Sequence, residues 1–223
     1  MFFEWNTSEE ILTKTNLLGY MKPRVLAIVG SHRKNGNSYS LAKTVLESVD
    51  AEYDIVQLAN EEIEFCNLCE ECIDKDCVLD DDVNNILVKM KKADGVIFIV
   101  PKYLVAPSKF LAFLERLDTI VHMRRHMEYG GPPRNPDYNL ISGQKPFCVF
   151  ALSGRGKFSK AVLQTVVDYI ESLGLRLVKH DYPPFIAVNV RAGDDKGEVL
   201  RNKTAIKQCK DLVEKVIVSA KRR

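Results

Sequence analysis

From Arg24 to Gly30 the chain reads RVLAIVG, a near-continuous apolar run rich in Val and Ile. A strand with one wet face alternates apolar and polar residues, whereas a strand covered on both faces does not, so this run predicts a central strand of a parallel sheet. A Gly/Asn/Ser loop follows, and LAKTVLESV from Leu41 then spaces its apolar residues as a helix does. The same order recurs. YDIVQLA from Tyr53 precedes a helical pattern from Asp81, and GVIFIVP from Gly95 precedes one from Ser108. PFCVFAL from Pro146 precedes one from Ser159, and LRLVKHDY from Leu175 precedes one running from about Asp195 to Ala220. Five strands alternating with five helices predict an α/β fold with a doubly wound, five-stranded parallel sheet and right-handed crossovers.

Three stretches stand outside the alternation. Residues 61–82 form an insertion in the second crossover, and residues 122–145, with GGPPRNP, are too long for a simple link from helix to strand. Residues 1–22 precede the first strand and read as an N-terminal extension, leaving residues 23–223 as one expected domain. Composition adds little: of 223 residues 46% are apolar and 28% charged, which is ordinary for a globular chain and excludes disorder, collagen-like repeats and a coiled coil. No apolar run approaches the ~20 residues of a membrane span, so no membrane association is expected. A net charge of +2 gives no ground for nucleic-acid binding. The start MFFEWNTSEE lacks the basic and apolar regions of a secretory signal, and a reducing cytoplasm is the expected compartment.

The cysteines change this plain picture. Of six, four stand as C-x2-C-x2-C-x4-C at Cys66, Cys69, Cys72 and Cys77. Such a compact quartet sets four thiolates within one loop, the arrangement that holds 4Fe-4S clusters. Structural zinc is the alternative, although four-cysteine zinc sites usually join two knuckles across a longer spacer. Cys148 falls in an apolar strand and Cys209 in a helix, so both are expected to be core residues. Charge is equally uneven: in residues 61–82 ten acidic residues against Lys75 give −9, and the rest of the chain therefore carries +11. An acidic rim lowers the potential of a cluster and steers a basic partner; in the plainer reading, Asp80 to Asp82 complement the next helix N-terminus.

In an open α/β sheet, ligands bind beyond the carboxyl ends of the strands. The loop after the first strand, GSHRKNGNSYS, offers Ser31, Arg33, Asn35, Gly36, Asn37 and Ser38 to an anion at a helix N-terminus. It is neither GxGxxG nor a Walker A loop, and a phosphomonoester such as that of FMN suits it better. The plain reading is that Asn37 or Ser38 caps the helix. After the third strand, Pro101, Lys102, Tyr103 and Leu104 are placed to wall a flat ring. After the fourth, Ser153, Gly154 and Arg155 are placed to offer N–H groups and a cation to a flavin pyrimidine edge. The basic run His122 to His126, with Arg134, is expected to face the acidic cysteine loop of a second subunit.

With these residues in view, the chain resembles the iron-sulfur flavoproteins, a branch of the NADPH-dependent FMN reductase superfamily with the flavodoxin-like fold. The likeness covers about residues 23–220 and rests on GSHRKNGNS, the cysteine quartet followed by DDD, P-x-Y with a downstream FLER similar to the family's FLDR, and SGRG. Glu115 departs from the usual Asp, and Leu111 from the usual Lys. The resemblance implies a homodimer or higher oligomer with one FMN and one 4Fe-4S cluster per chain, an oxidoreductase passing electrons from a donor such as ferredoxin or NAD(P)H. Two other functions suit the same residues. One is an NAD(P)H-dependent flavin or quinone reductase with zinc in the cysteine loop; the other is a redox sensor without turnover.

Overall fold

A computed structural model of the chain describes residues 22–125, 135–154 and 160–222. Strands β1 (Arg24–Val29), β2 (Glu52–Gln57), β3 (Gly95–Pro101), β4 (Pro146–Ser153), β5 (Arg176–Leu177) and β6 (Val188–Arg191) alternate with helices α1 (Asn37–Leu46), α2 (Val83–Lys92), α3 (Ser108–Arg125), α4 (Lys160–Ser172) and α5 (Lys203–Lys221). The sheet order is β2-β1-β3-β4-β5, all parallel, and β6 also pairs with β4. This is the flavodoxin-like doubly wound order. No described helix is long and apolar enough to cross a membrane.

Burial explains why the central strands carry no polar alternation. Leu26 and Ile28 of β1 pack in one apolar layer with α2, α3 and α4, while Val25, Ala27 and Val29 pack in the opposite layer with α1 and α5. The period of two persists, but both faces are dry. Phe98 of β3 sits at the centre, fully buried, edge-on to Phe110 and Phe147 at 6.4 and 5.9 Å. Cys148 and Cys209 lie in the layer shared with α1 and α5, and burial pushes both thiols far above their ordinary range.

Two expectations need correction. The fifth strand is not continuous over LRLVKHDY: β5 pairs with the start of β4 and β6 with its end, and the chain leaves the ladder after Val178, whose N–H still reaches the Phe147 carbonyl. Residues 180–185 fold on themselves instead, the His180 N–H donating to the Phe185 carbonyl and the Phe185 N–H to that of Tyr182, while Pro183 and Pro184 have no N–H to offer a ladder, and the V-N-V-R alternation of β6 resumes it. The last helix begins at Lys203 rather than Asp195. Gly197 adopts φ +82°, a short turn covers Glu198–Arg201, and the Asn202 side chain accepts from the Ala205 N–H to cap α5. The N-terminal extension, save Lys22, lies outside the described residues.

Because the strands run parallel, β1, β3, β4 and β6 end at one edge of the sheet, and backbone bonds continue the ladder one step into the loops after β1, β3 and β6. Gly30 donates to Ile99, Lys102 to Leu152 and Ala192 to Ser153. The loop roots are therefore as rigid as the sheet. Phe98→Ala removes the ring on which both neighbours pack; we expect a loss of about 3–5 kcal/mol of stability, measured by urea denaturation, with the two-state midpoint shifted and its slope kept.

Candidate functional site

At that edge the four loops enclose a cleft of about 470 Å³, a size suited to a small ligand. Its floor is polar: Ser31, Ser38 and Ser153 line it and are buried. Helix α1 starts there on Gly36, which no side chain caps, so the first-turn N–H groups meet the cleft where an anion is favoured. Pro101, Lys102 and Tyr103 form one wall, with Gly154 beside Ser153. A Cβ on Gly154 would stand 2.6 Å from Asp194 Oδ1, which shows how closely the loop after β6 approaches.

The sequence pattern places residues 195–202 within the last helix, whereas the structure makes them part of this fourth loop. Ala192, Gly193, Asp194 and Lys196 line the cleft, as does Lys34. Asn37 is what fastens the loop: its Nδ2 donates to the carbonyls of Ala192 (3.0 Å) and Asp195 (2.8 Å), and its Oδ1 accepts from the Gly197 N–H (2.7 Å). It is thus no helix cap. Arg33 donates to the Asp194 carbonyl at 3.1 Å, and Glu198 accepts from the Asp194 and Asp195 N–H groups. Behind the wall, the His32 ring lies 5.3 Å from that of Tyr103, and its Nε2 is 3.3 Å from Ser108 Oγ.

Two expected residues point elsewhere. Asn35, at φ 53°, exchanges hydrogen bonds with Gln57 at the end of β2. Leu104 is 93% exposed and outside the cleft. Arg155, His126 and Arg134 lie outside the described residues.

The cysteine loop packs on α3, which supplies its fastenings. Arg116, 1% exposed, donates to the Glu64 carbonyl (2.9 Å), Asp81 Oδ2 (2.7 Å) and Cys77 Sγ (3.0 Å). Asp81 accepts in turn from the Glu64 and Val83 N–H groups, and Asp82 accepts from the Glu62 N–H, joining both ends of the loop. Two turns further along, Arg124 Nε donates to the Cys72 carbonyl (3.0 Å) and Nη2 to that of Lys75 (2.8 Å), with the guanidinium over the Tyr138 ring. Arg124 therefore grips the cysteine loop of its own chain.

Cys72 is buried, Cys66 and Cys77 are half-buried and Cys69 is exposed. Burial pushes the Cys72 thiol up, and Cys77, Cys66 and Cys69 add to this, so the four sulfurs sense one another. Among the described residues they are not drawn together into a metal-holding group. Their chemistry nonetheless fits one: four soft ligands lie in one loop, and a buried guanidinium donates to a ligand sulfur.

The fold is flavodoxin-like, and its sheet edge carries a polar cleft with an uncapped helix N-terminus. The model of the family described as NADPH-dependent FMN reductase matches residues 23–183, well over half of the chain. The chain belongs to that family. Among curated proteins it is similar to the iron-sulfur flavoprotein of Methanosarcina thermophila, 37% identical over 98 residues (42% of this chain, 51% of the relative). It is also similar to an iron-sulfur flavoprotein of Methanocaldococcus jannaschii, 36% identical over 95 residues (41% and 49%). The chain thus spans about half the length of these relatives. Among solved structures, RosB, with a bound 8-demethyl-8-formylriboflavin-5'-phosphate, superposes with a TM-score of 0.65 at 17% identity, covering 90% of this chain and 79% of RosB.

Two outcomes check the loop. Asp81→Ala leaves the Arg116 charge buried and unpaired and unties the loop ends; a loss of about 3–5 kcal/mol is expected in denaturant titration, with faster proteolytic cleavage within residues 61–82. Iodoacetamide applied to native, metal-free protein at pH 8 is expected to label Cys69 and to spare Cys148 and Cys209, with all six labelled after unfolding, as read by peptide mass spectrometry.

Proposed function

We propose that this chain is an iron-sulfur flavoprotein of the electron-transfer kind, an oxidoreductase that takes electrons from a donor such as ferredoxin or NAD(P)H and passes them to an acceptor in the cytoplasm. The observation that carries the reading is the presence on one chain of two sites: an uncapped helix N-terminus opening on a cleft of buried serines, and a four-thiol loop fixed by two arginines of α3. FMN phosphate suits the first-turn amides of α1 with Ser31, Ser38 and Arg33 beside them, and its ring suits the wall of Pro101 and Tyr103. Cys66, Cys69, Cys72 and Cys77 are the ligands we assign to a 4Fe-4S cluster. When bound, FMN exchanges one or two electrons and such a cluster exchanges one, so the pair suits exchange between single-electron and two-electron partners.

The residues themselves bind, orient and exclude water. Asn37 holds the fourth loop against the cleft, Arg33 ties that loop to the first, and the sheet-rooted backbone keeps all four in place. Phe65, Val105, Leu111 and Tyr169 are exposed around the groove between α3 and α4, which supports a homodimer or higher oligomer.

A second reading has one observation in its favour. The matching family is that of NADPH-dependent FMN reductases, which suits a flavin reductase whose cysteine loop carries zinc. Metal and cofactor analysis after anaerobic reconstitution separates the two. About four iron, four acid-labile sulfide and one FMN per chain are expected for the proposed cofactor set. Zinc without sulfide favours the reductase, and colourless protein overturns both. Sustained ferredoxin- or NADPH-driven reduction of an added acceptor is the further expectation, and its absence in fully loaded protein points to a sensor.

A further inference from the structure

Arg116 is bound in an unusual way for a buried arginine. A guanidinium facing one carboxylate usually makes two parallel bonds. Here Nη1 meets Asp81 Oδ2 at 2.7 Å, but Nη2 is 3.4 Å from Asp81 Oδ1 and closer, at 3.0 Å, to Cys77 Sγ. Its Nε–H is buried with no partner. A neutral thiol is a weak acceptor and poor recompense for a donor turned away from a carboxylate, whereas a thiolate is a strong one. Asp81 and the Cys77 sulfur together hold the guanidinium charged against the penalty of burial.

We propose that Arg116 is a positioning residue that donates to Cys77 as a thiolate ligand and holds the reduction potential of the cluster above the value that the acidic loop alone would set. The inference rests on the assignment of a 4Fe-4S cluster to Cys66, Cys69, Cys72 and Cys77. One-electron reduction adds negative charge to a cluster and its thiolates, and hydrogen bonds to sulfur and nearby cations stabilise that state. Arginine stays protonated in both redox states, so the effect is on potential and moves no proton.

The test uses the full chain, reconstituted anaerobically, with all arginines labelled with 15N. Pulsed EPR of the reduced cluster is expected to show 15N coupling in the wild type and in Arg124→Lys, and to lose it in Arg116→Lys, which keeps the charge near Asp81 but not the fork. At a fixed solution potential, the reduced-to-oxidised ratio of the cluster in Arg116→Lys is expected to fall on the order of tenfold. Cluster-bearing wild type with no arginine coupling overturns the proposal without recourse to any variant; so does coupling that survives Arg116→Lys, or an unchanged ratio. Protein lacking iron and sulfide overturns the cluster assignment and this inference with it, an outcome that metal analysis separates from the others.

Discussion

A guanidinium in the protein interior must be neutralised, and the cysteine loop is built around that demand. Arg116 is 1% exposed, and the groups around it, the Asp81 carboxylate, the Glu64 carbonyl and the Cys77 sulfur, all come from residues 61–82. Removing water from either charge alone costs several kcal/mol, so neither Arg116 nor Asp81 can occupy this position without the other. The pair thereby couples α3, a core helix, to a loop otherwise rich in exposed acids. A loop with so little regular structure keeps one conformation because its alternatives strand a buried charge.

The cleft obeys a different constraint. Parallel strands covered on both faces bury every side chain, leaving the carboxyl edge as the place where backbone and polar groups meet solvent. Four strands end there, and the loops after β1, β3 and β6 are each held by a ladder bond at the root. The cross-ties of Asn37 and Arg33 then join the first and fourth loops, which are about 160 residues apart in sequence. Both sites thus depend on side chains that reach out of rigid elements to fix irregular backbone.

Local signals made much of this legible from sequence. The β1, β3 and β4 runs, the loop from Ser31 to Ser38 and the cysteine quartet are each contained within about a dozen residues. What escaped was of longer range. Asn37 reads as a cap because Asn before an apolar run usually is one, and only the tertiary position of Ala192, Asp195 and Gly197 turns its amide outward. Asp81 looks like one acid in a run of three, yet it is the buried member because Arg116 lies opposite. The split fifth strand was hidden since β5 and β6 are two and four residues long, too short for a period to stand out.

Charge magnitudes decide which part of the loop governs its chemistry. Residues 61–82 carry −9, but most of those carboxylates are on the surface, where water and salt reduce a pair interaction to about 1 kcal/mol at 4 Å or less. The Arg116 guanidinium is 3.0 Å from the Cys77 sulfur and shielded from solvent, where the effective dielectric is nearer ~20 and each charge weighs several times more. Asp81 offsets part of that charge, but its carboxylate is divided among the Arg116 fork, the Glu64 N–H and the Val83 N–H. A single buried cation thereby offsets much of an acidic loop: the many exposed carboxylates act through water and salt, while the few buried groups control the electrostatics at the sulfur.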